Sequence, residues 1–382
     1  MTQLSNDEIK RYSRHLTLPG FGLQGQQKLK DGSVLIIGAG GLGSPLGMYL
    51  AAAGVGRLGL VDFDVVDVSD LQRQIAHGTS DIGRTKARSM KETIREINPR
   101  VDIELFETRF TCDNALGIAQ NFDVIVDGSD NFATRYLVND VCVLLGKPNV
   151  YGAIFRFDGQ ASVFDASRGP CYRCLFAEPP SPGVVPSCTE GGVLGILPGI
   201  IGVIQATEAV KLLVGQGKTL VGRLLLYNAL SMSFRELKLE KNPDCPMCGE
   251  NPSITDLIDY EDICGIRDEE IGGSQAGYNE IDVADVASLI EKKADFVLLD
   301  VREPVEWEIC SLPNSVRIPR GEVRKRLGEV DSAKDVIVYC RSGVHSGAIT
   351  NFLLEMGFDR VRNMRGGILA WANEIDPAMP VY

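Results

Sequence analysis

A chain of 382 residues, 44% hydrophobic and 24% charged, has a globular composition, and its length suggests two or three domains. The formal charge of −12 argues against a general nucleic-acid surface and favours basic partners or none. Ten cysteines are too sparse for a disulfide scaffold, and the polar start MTQLSNDEIKRYSRH is no secretory signal. A reducing cytoplasm is therefore expected, where thiols bind metals or react.

Asp7 and Glu8 favour a helix from Ser5 to about Leu16. SVLIIG (Ser33–Gly38) reads as a buried strand, followed by a glycine-rich turn and an Ala/Leu-rich helix to Gly54. RLGLVD (Arg57–Asp62) is a second strand, and Val101–Phe106, Asp123–Asp127 and Asn149–Tyr151 are further ones. Strands alternating with helices predict a doubly wound, Rossmann-like, mostly parallel α/β sheet. Gln160–Phe164 and Leu224–Asn228 are later strands that would make it mixed. Gly191–Thr207 is uncharged but glycine-rich and holds Pro198, so it reads as a buried loop and helix; no membrane partner is expected. The acidic run Glu250–Glu280 reads as a solvated linker. A second, smaller α/β pattern follows, with a helix at Asp282–Lys292, strands at Phe296–Asp300 and Val336–Tyr339, and a helix at Ser346–Met356. The expected division is a domain over 1–250, an acidic linker over 251–277 and a domain over 278–382.

Gly38-Ala39-Gly40-Gly41-Leu42-Gly43 lies between a strand and a helix, where backbone N–H groups can approach phosphates, and Asp62 ends the next strand, where a carboxylate can hold ribose hydroxyls. These features alone fit an NAD-dependent dehydrogenase as well as an ATP user. Downstream, Arg73 in Ser69-Asp70-Leu71-Gln72-Arg73-Gln74, Lys86, and Asp130-Asn131 after the strand DVIVD supply two cations and a carboxylate for Mg²⁺. That set suits adenylyl transfer, in which the departing pyrophosphate gathers negative charge.

The segments RYSRHLTLPGFGLQGQQKL, VLIIGAGGLG, VDFDVVDVSDLQRQ, GRTKA and DGSDNFATRYLVND resemble, in order and spacing, the MoeB/ThiF family, bacterial relatives of ubiquitin-activating enzymes. The resemblance spans about residues 1–250. It implies ATP-dependent adenylation of the C-terminal glycine of a ubiquitin-like sulfur carrier ending in Gly-Gly. It places Gly41 at the nucleotide, Asp62 at the ribose, Arg73 and Lys86 on phosphates and Asp130 on Mg²⁺. Ser69, Leu71, Gln72 and Asn131 lie in the same matched segments as candidate nucleotide contacts. Arg14 resembles the family arginine that reaches the ATP of a neighbouring subunit, which implies a homodimer with composite sites. Asp70 stands where the family usually has Asn, and a carboxylate there would repel phosphate unless Mg²⁺ or a cation offsets it.

Two CxxC pairs, Cys171/Cys174 and Cys245/Cys248, can each set two thiolates on a tight turn, and together they complete a tetrahedral shell for structural Zn²⁺. Either pair alone could be a redox motif. Cys188 lies in a Pro/Gly/Ser-rich stretch that reads as a surface loop, where an accessible thiol can attack an activated acyl group; in the family a cysteine at this place is proposed to attack the acyl-adenylate.

Cys340 follows the strand DVIVY and opens Cys340-Arg341-Ser342-Gly343-Val344-His345-Ser346 before a helix, a setting that favours a sulfur anion, with Arg341 adding positive charge. A cysteine phosphatase would need an arginine where Ser346 stands. Leu299-Asp300-Val301-Arg302-Glu303-Pro304, Glu306-Trp307, the Cys340 loop and Gly366-Gly367-Ile368-Leu369-Ala370-Trp371 resemble a rhodanese domain over about 278–382, with Asp300 and Arg302 as framework residues. The combined resemblance implies an adenylyltransferase fused to a sulfurtransferase. Cys340, charged by a persulfide or thiosulfate donor, would convert the acyl-adenylate to a thiocarboxylate. The alternatives are a conjugation activator passing on a thioester, in which Cys340 is dispensable, and a non-catalytic scaffold for carrier and donor.

Overall fold

A computed structural model describes residues 3–180, 191–258, 260 and 278–382, and the chain divides into two units, Met1–Ile266 and Arg267–Tyr382. Unit one is built on β1 (Ser33–Ile37), β2 (Arg57–Val61), β3 (Asp102–Phe106), β4 (Val124–Asp127), β5 (Asn149–Phe155), β6 (Asp158–Phe164), β7 (Arg223–Asn228) and β8 (Ser233–Lys238). They form one sheet in the order β3-β2-β1-β4-β5-β6-β7-β8. The first five strands pair in parallel, and β5 through β8 pair antiparallel, so the sheet is doubly wound and mixed, as expected. The chain runs outward both ways from β1 and β4, which creates a crevice at their carboxyl ends.

Packing explains these elements. β1 is buried at every position, as a central strand covered on both faces must be. The helix Leu197–Val214 is long and apolar enough to cross a membrane by length and composition, but it packs on the helix Gly43–Ala53, β5 and β6 as a core element. A Cβ at Gly202 would stand 2.6 Å from the Leu42 carbonyl oxygen, so only glycine allows that close approach. Its Gln205 Nε2 donates to the Asp127 and Val150 carbonyls, at 2.7 and 3.1 Å, tying it to the sheet.

Three departures from the expected elements have physical causes. The opening helix is two pieces, Asn6–Arg11 and Ser13–Leu16, because Tyr12 leaves helical geometry to bury its ring and accept a 2.8 Å hydrogen bond from Asn98 Nδ2. β8 is exposed along its whole length, so no alternation of apolar residues announces it. Residues past 250 continue to pack on unit one: Leu257, Ile258 and Tyr260 join its core, and Tyr260 Oη donates to Asp140 Oδ2 at 2.6 Å.

Unit two is a five-stranded parallel sheet in the order β11-β10-β12-β13-β9, from β9 (Asn279–Ile281), β10 (Phe296–Asp300), β11 (Val316–Arg317), β12 (Asp335–Tyr339) and β13 (Val361–Met364). The short strands β9, β11 and β13 carry too few residues for a period to be read. Asp300 and Arg302 form a buried ion pair at 2.6 Å, the framework role expected of them.

Candidate functional site

A cavity of about 280 Å³ opens where β1 and β4 diverge. Gly41, Asp62, Asp70, Arg73, Lys86, Asp130 and Asn131 all line it, so residues from five separate segments converge as the sequence pattern implied. Gly38 turns the chain at φ 94°, a conformation that favours glycine. Asp62 Oδ2 accepts from the Ala39 N–H at 2.7 Å, and Oδ1 accepts from the Asp64 N–H at 2.8 Å. Burial raises the Asp62 pKa despite these two donors.

The cations are held by a set of carboxylates. Lys86 is buried, with Nζ 3.2 Å from Asp64 and 3.5 Å from Asp70. Burial works to lower its pKa, but Asp64, Asp62 and Asp70 outweigh that and raise it, so the ammonium is firmly charged. Arg73 Nη2 meets Asp70 Oδ1 at 3.1 Å, and Nη1 donates to the Ser69 carbonyl at 2.8 Å. Asp70 Oδ1 also accepts from Gln74 Nε2 at 2.7 Å. The carboxylate that seemed out of place beside phosphate is thus engaged by Arg73, Gln74 and Lys86, and its work is to aim the two cations.

Ser69, Leu71 and Gln72 are not among the lining residues. Ser69 serves as an anchor for Arg73, and Gln72 packs on the backbone of Gly195, where a Cβ would come within 2.2 Å of Oε1. Arg14 is exposed on the segment Ser13–Leu16 and does not line its own chain's cavity. Cys188 lies outside the described residues.

Sequence reasoning missed Asp64, Gln74 and His77. His77 is buried, with Nε2 3.0 Å from the Ala39 carbonyl and Nδ1 2.8 Å from Ser89 Oγ. Ala39 is therefore fixed on both sides, by Asp62 at its N–H and by His77 at its carbonyl. Burial lowers the His77 pKa, so the neutral ring that donates from Nε2 and accepts at Nδ1 is favoured. Asp64 is two residues past Asp62 and could have been read as a second acid; His77 carried no spacing signal.

The two CxxC pairs meet. Sγ atoms of Cys171, Cys174, Cys245 and Cys248 lie within 4.8 Å of one another, with 3.6 Å between Cys171 and Cys245 and 3.4 Å between Cys174 and Cys248. A tetrahedral ion bound at about 2.3 Å by four sulfurs needs edges of about 3.8 Å, so this donor set fits one. Arg173, between the first pair, makes a buried 2.8 Å ion pair with Asp140 on the helix Phe132–Leu145. That helix begins at the Asn131 cap, whose Oδ1 accepts from the Thr134 N–H at 2.8 Å, beside Asp130 at the cavity rim.

In unit two, Cys340 is buried at the end of β12. Its Sγ accepts from the Gly343 N–H at 3.2 Å and lies 3.4 Å from Ser346 Oγ. Gly343 has φ 93°, which lets the loop fold its N–H back onto the sulfur. The helix Val344–Glu355 starts two residues earlier than expected and aims its N-terminus at the loop. Behind it, Ser346 Oγ lies 2.6 Å from Asn363 Oδ1, and Asn363 Nδ2 donates to the Gly343 carbonyl at 3.0 Å. Arg341 departs from expectation: its Nε donates to the Tyr382 main-chain oxygen at 2.7 Å, and Nη2 is bound to the same atom.

Family models match a stretch of each unit. The ThiF family model matches residues 12–247, and the rhodanese-like domain model matches 282–374. A Mycobacterium tuberculosis protein named "Probable adenylyltransferase/sulfurtransferase MoeZ" is 46% identical, covering 99% of this chain and 96% of the relative. The "Adenylyltransferase and sulfurtransferase MOCS3" of Culex quinquefasciatus is 43% identical, covering 100% of this chain and 91% of its own. Among solved structures, E. coli MccB with ATP has a TM-score of 0.56 at 20% identity, over 64% of this chain and 75% of that one, a likeness of fold.

Proposed function

The chain belongs to the ThiF family and carries a rhodanese-like domain, and from that premise we propose that it adenylates the C-terminal glycine of a ubiquitin-like sulfur carrier and then replaces the adenylate with sulfur. The observation that carries this reading is that one chain holds both a cavity with two aimed cations and a cysteine whose sulfur accepts a hydrogen bond from its own loop. It is an adenylyltransferase and a sulfurtransferase.

In the first step a carrier carboxylate oxygen attacks the α-phosphorus of ATP. A P–O bond forms, the bond to pyrophosphate breaks, and pyrophosphate leaves with the electron pair. Arg73 and Lys86 meet the growing charge on the leaving group, already oriented by Asp70 and Asp64. Asp62 holds the ribose, and the N–H groups of Gly40 and Gly41 in the glycine turn receive phosphate oxygens. Asp130, exposed at the cavity, would hold Mg²⁺, which would neutralise phosphate charge. Cys171, Cys174, Cys245 and Cys248 suit Zn²⁺, which would steady the Cys171 turn and, through Arg173 and Asp140, the helix Phe132–Leu145.

In the second step the outer sulfur of a Cys340 persulfide attacks the acyl carbon, and AMP departs with the C–O electron pair. A second thiolate then attacks Cys340 Sγ, forming a disulfide with it and releasing the thiocarboxylate. Cys188 is the candidate for that thiol or for an earlier thioester. Arg14, exposed and away from its own cavity, suits a homodimer in which each subunit lends an arginine to the other. The sulfur comes from a persulfide or thiosulfate donor, and the free thiols suit a reducing cytoplasm.

Pyrophosphate exchange that depends on a Gly-Gly-tailed carrier tests the first step, and its absence overturns the reading. Intact mass of that carrier, after incubation with ATP and a persulfide donor, is expected to show one oxygen replaced by sulfur. A Cys340→Ala chain that still makes thiocarboxylate at the normal rate from a persulfide donor would overturn the role of the rhodanese-like domain in the transfer.

A further inference from the structure

Behind the Cys340 sulfur lies a small buried polar network whose protons can be assigned. Cys340, Ser346 and Asn363 are all buried. Ser346 Oγ has three neighbours: Asn363 Oδ1 at 2.6 Å, the Gly343 carbonyl at 3.0 Å and Cys340 Sγ at 3.4 Å. Its hydroxyl has one proton to give. Asn363 stands on β13, in register with Val338 of β12 on one side and Glu280 of β9 on the other. Its Nδ2 lies 3.0 Å from the Gly343 carbonyl and 3.4 Å from Glu280 Oε1, while Glu280 Oε2 is paired with Arg365 Nε at 2.9 Å. A carbonyl and a carboxylate only accept, so the amide nitrogen must face them and the amide oxygen must face Ser346. That oxygen is the nearest of the three acceptors, so it takes the Ser346 proton. Toward the sulfur, Ser346 then presents a lone pair.

A lone pair suits a thiol, whose S–H can point at it, and opposes a thiolate. For Ser346 to turn its proton onto a thiolate, the buried Asn363 Oδ1 would have to lose its donor, which is costly. Loading with sulfur removes the conflict. In a persulfide Sγ is bonded to a second sulfur, and the negative charge resides on that outer atom instead of on Sγ. We propose that Asn363 is a positioning residue for sulfur transfer, which by drawing the Ser346 proton away from Cys340 disfavours the bare thiolate and so favours the persulfide form. The proposal rests on the sulfur-transfer reading above. With thiosulfate as donor, the Cys340 thiolate attacks the outer sulfur, a new S–S bond forms, the old one breaks, and sulfite leaves with the electron pair. In the reverse direction sulfite takes the outer sulfur and the Cys340 thiolate is the leaving group. No oxidant enters in either direction.

The test uses the full chain, equilibrated with mixtures of thiosulfate and sulfite at about pH 10, above the ordinary range of a cysteine thiol. Peptide mass reads the fraction of Cys340 that carries the extra sulfur, and the thiosulfate-to-sulfite ratio at half-loading reports the balance between thiolate and persulfide. In Asn363→Leu the Ser346 proton is released to the thiolate, a charged acceptor that outcompetes the Gly343 carbonyl. Half-loading is then expected to need a ratio about fivefold higher than in the parent chain. Ser346→Ala removes the lone pair without supplying a donor, and its ratio is expected to stay at the parent value or rise slightly. In the Ser346→Ala background, Asn363→Leu is expected to change nothing more, since no proton is left to release. An unchanged ratio in Asn363→Leu, or an equal rise without Ser346, overturns the proposal. Easier loading in Ser346→Ala also overturns it, being the result of a hydroxyl that donates to the thiolate; this arm decides the matter if a melting curve shows that Asn363→Leu does not fold. No sulfur on Cys340 of the parent chain at any ratio would instead overturn the sulfur-transfer reading, and the proposal with it.

Discussion

The nucleotide cavity and the persulfide loop solve opposite problems by opposite means. On the reading above the cavity must manage a large mobile negative charge, and it is lined by Asp62, Asp64, Asp70, Arg73, Lys86 and Asp130 from segments far apart in sequence, of which Asp64, Asp70, Arg73 and Lys86 restrain one another. The loop must hold one sulfur, and it does so within seven consecutive residues, with the Gly343 N–H donating to it and Ser346 Oγ 3.4 Å away. A shared load suggests graded losses on mutation, while a single reacting atom suggests all or nothing.

The largest effect therefore belongs to the loop. Cys340→Ser is expected to lower thiocarboxylate formation by about a thousandfold or more while carrier-dependent pyrophosphate exchange continues, because no other loop atom can carry the sulfur. Next comes Lys86→Met, which removes one of two cations and leaves Asp62, Asp64 and Asp70 less compensated. Its carrier-dependent exchange is expected to fall by about a hundredfold to a thousandfold, a typical cost for a group that meets transition-state charge. Complete loss of exchange in Lys86→Met, or slight loss of transfer in Cys340→Ser, would erase the contrast between the two sites.

The same contrast explains what was legible in the sequence. A contiguous loop announces itself, so Cys340, its glycine and its helix were read directly. The parallel core was also legible, since β1, β2 and β4 are short apolar runs bounded by turns. Arg73, Lys86 and Asp130 could be found because each sits in a matched segment. Asp70's role could not, because Lys86 reaches it only when the helix Lys86–Ile97 folds against the turn after β2, where Arg73 and Gln74, three and four residues on, already meet it. Arg341 misled for the same reason: its nearness in sequence to Cys340 says nothing of Tyr382, 41 residues on. β8 escaped because a fully exposed strand has no buried face to set a period.

The four-cysteine cluster lies between the extremes, as a local pair of turns joined over a long separation. Metal removal by a strong chelator, or Cys248→Ser, is expected to lower the melting temperature of unit one by about 10 °C. Unit two, read by persulfide formation on Cys340, is expected to keep its activity, since among the described residues the cluster's packing partners Val143, Ala166 and Ile254 all belong to unit one. Bound zinc released on denaturation, about one per chain, checks the assignment of the ion; no zinc and an unchanged melting temperature would sink it.

The smallest effect is the most discriminating for a dispersed site. His77 touches no residue expected to grip phosphate, yet it donates to the carbonyl of Ala39, whose N–H is fixed by Asp62, and it accepts from Ser89 on the helix that begins at Lys86. It thus sets the glycine turn against the lysine helix. In His77→Phe the buried Ala39 carbonyl loses its donor, at a cost of about 1–3 kcal/mol, shared between stability and nucleotide affinity. The KM for ATP in carrier-dependent exchange is expected to rise about fivefold with kcat changing less, because the turn binds substrate and transition state alike. His77→Gln keeps an N–H near the Nε2 position and is expected to recover most of the loss. A merely structural histidine would lower melting temperature in both variants and move neither KM. That outcome would confine the shared load to the charged residues, and the coupling between turn and helix would be discarded.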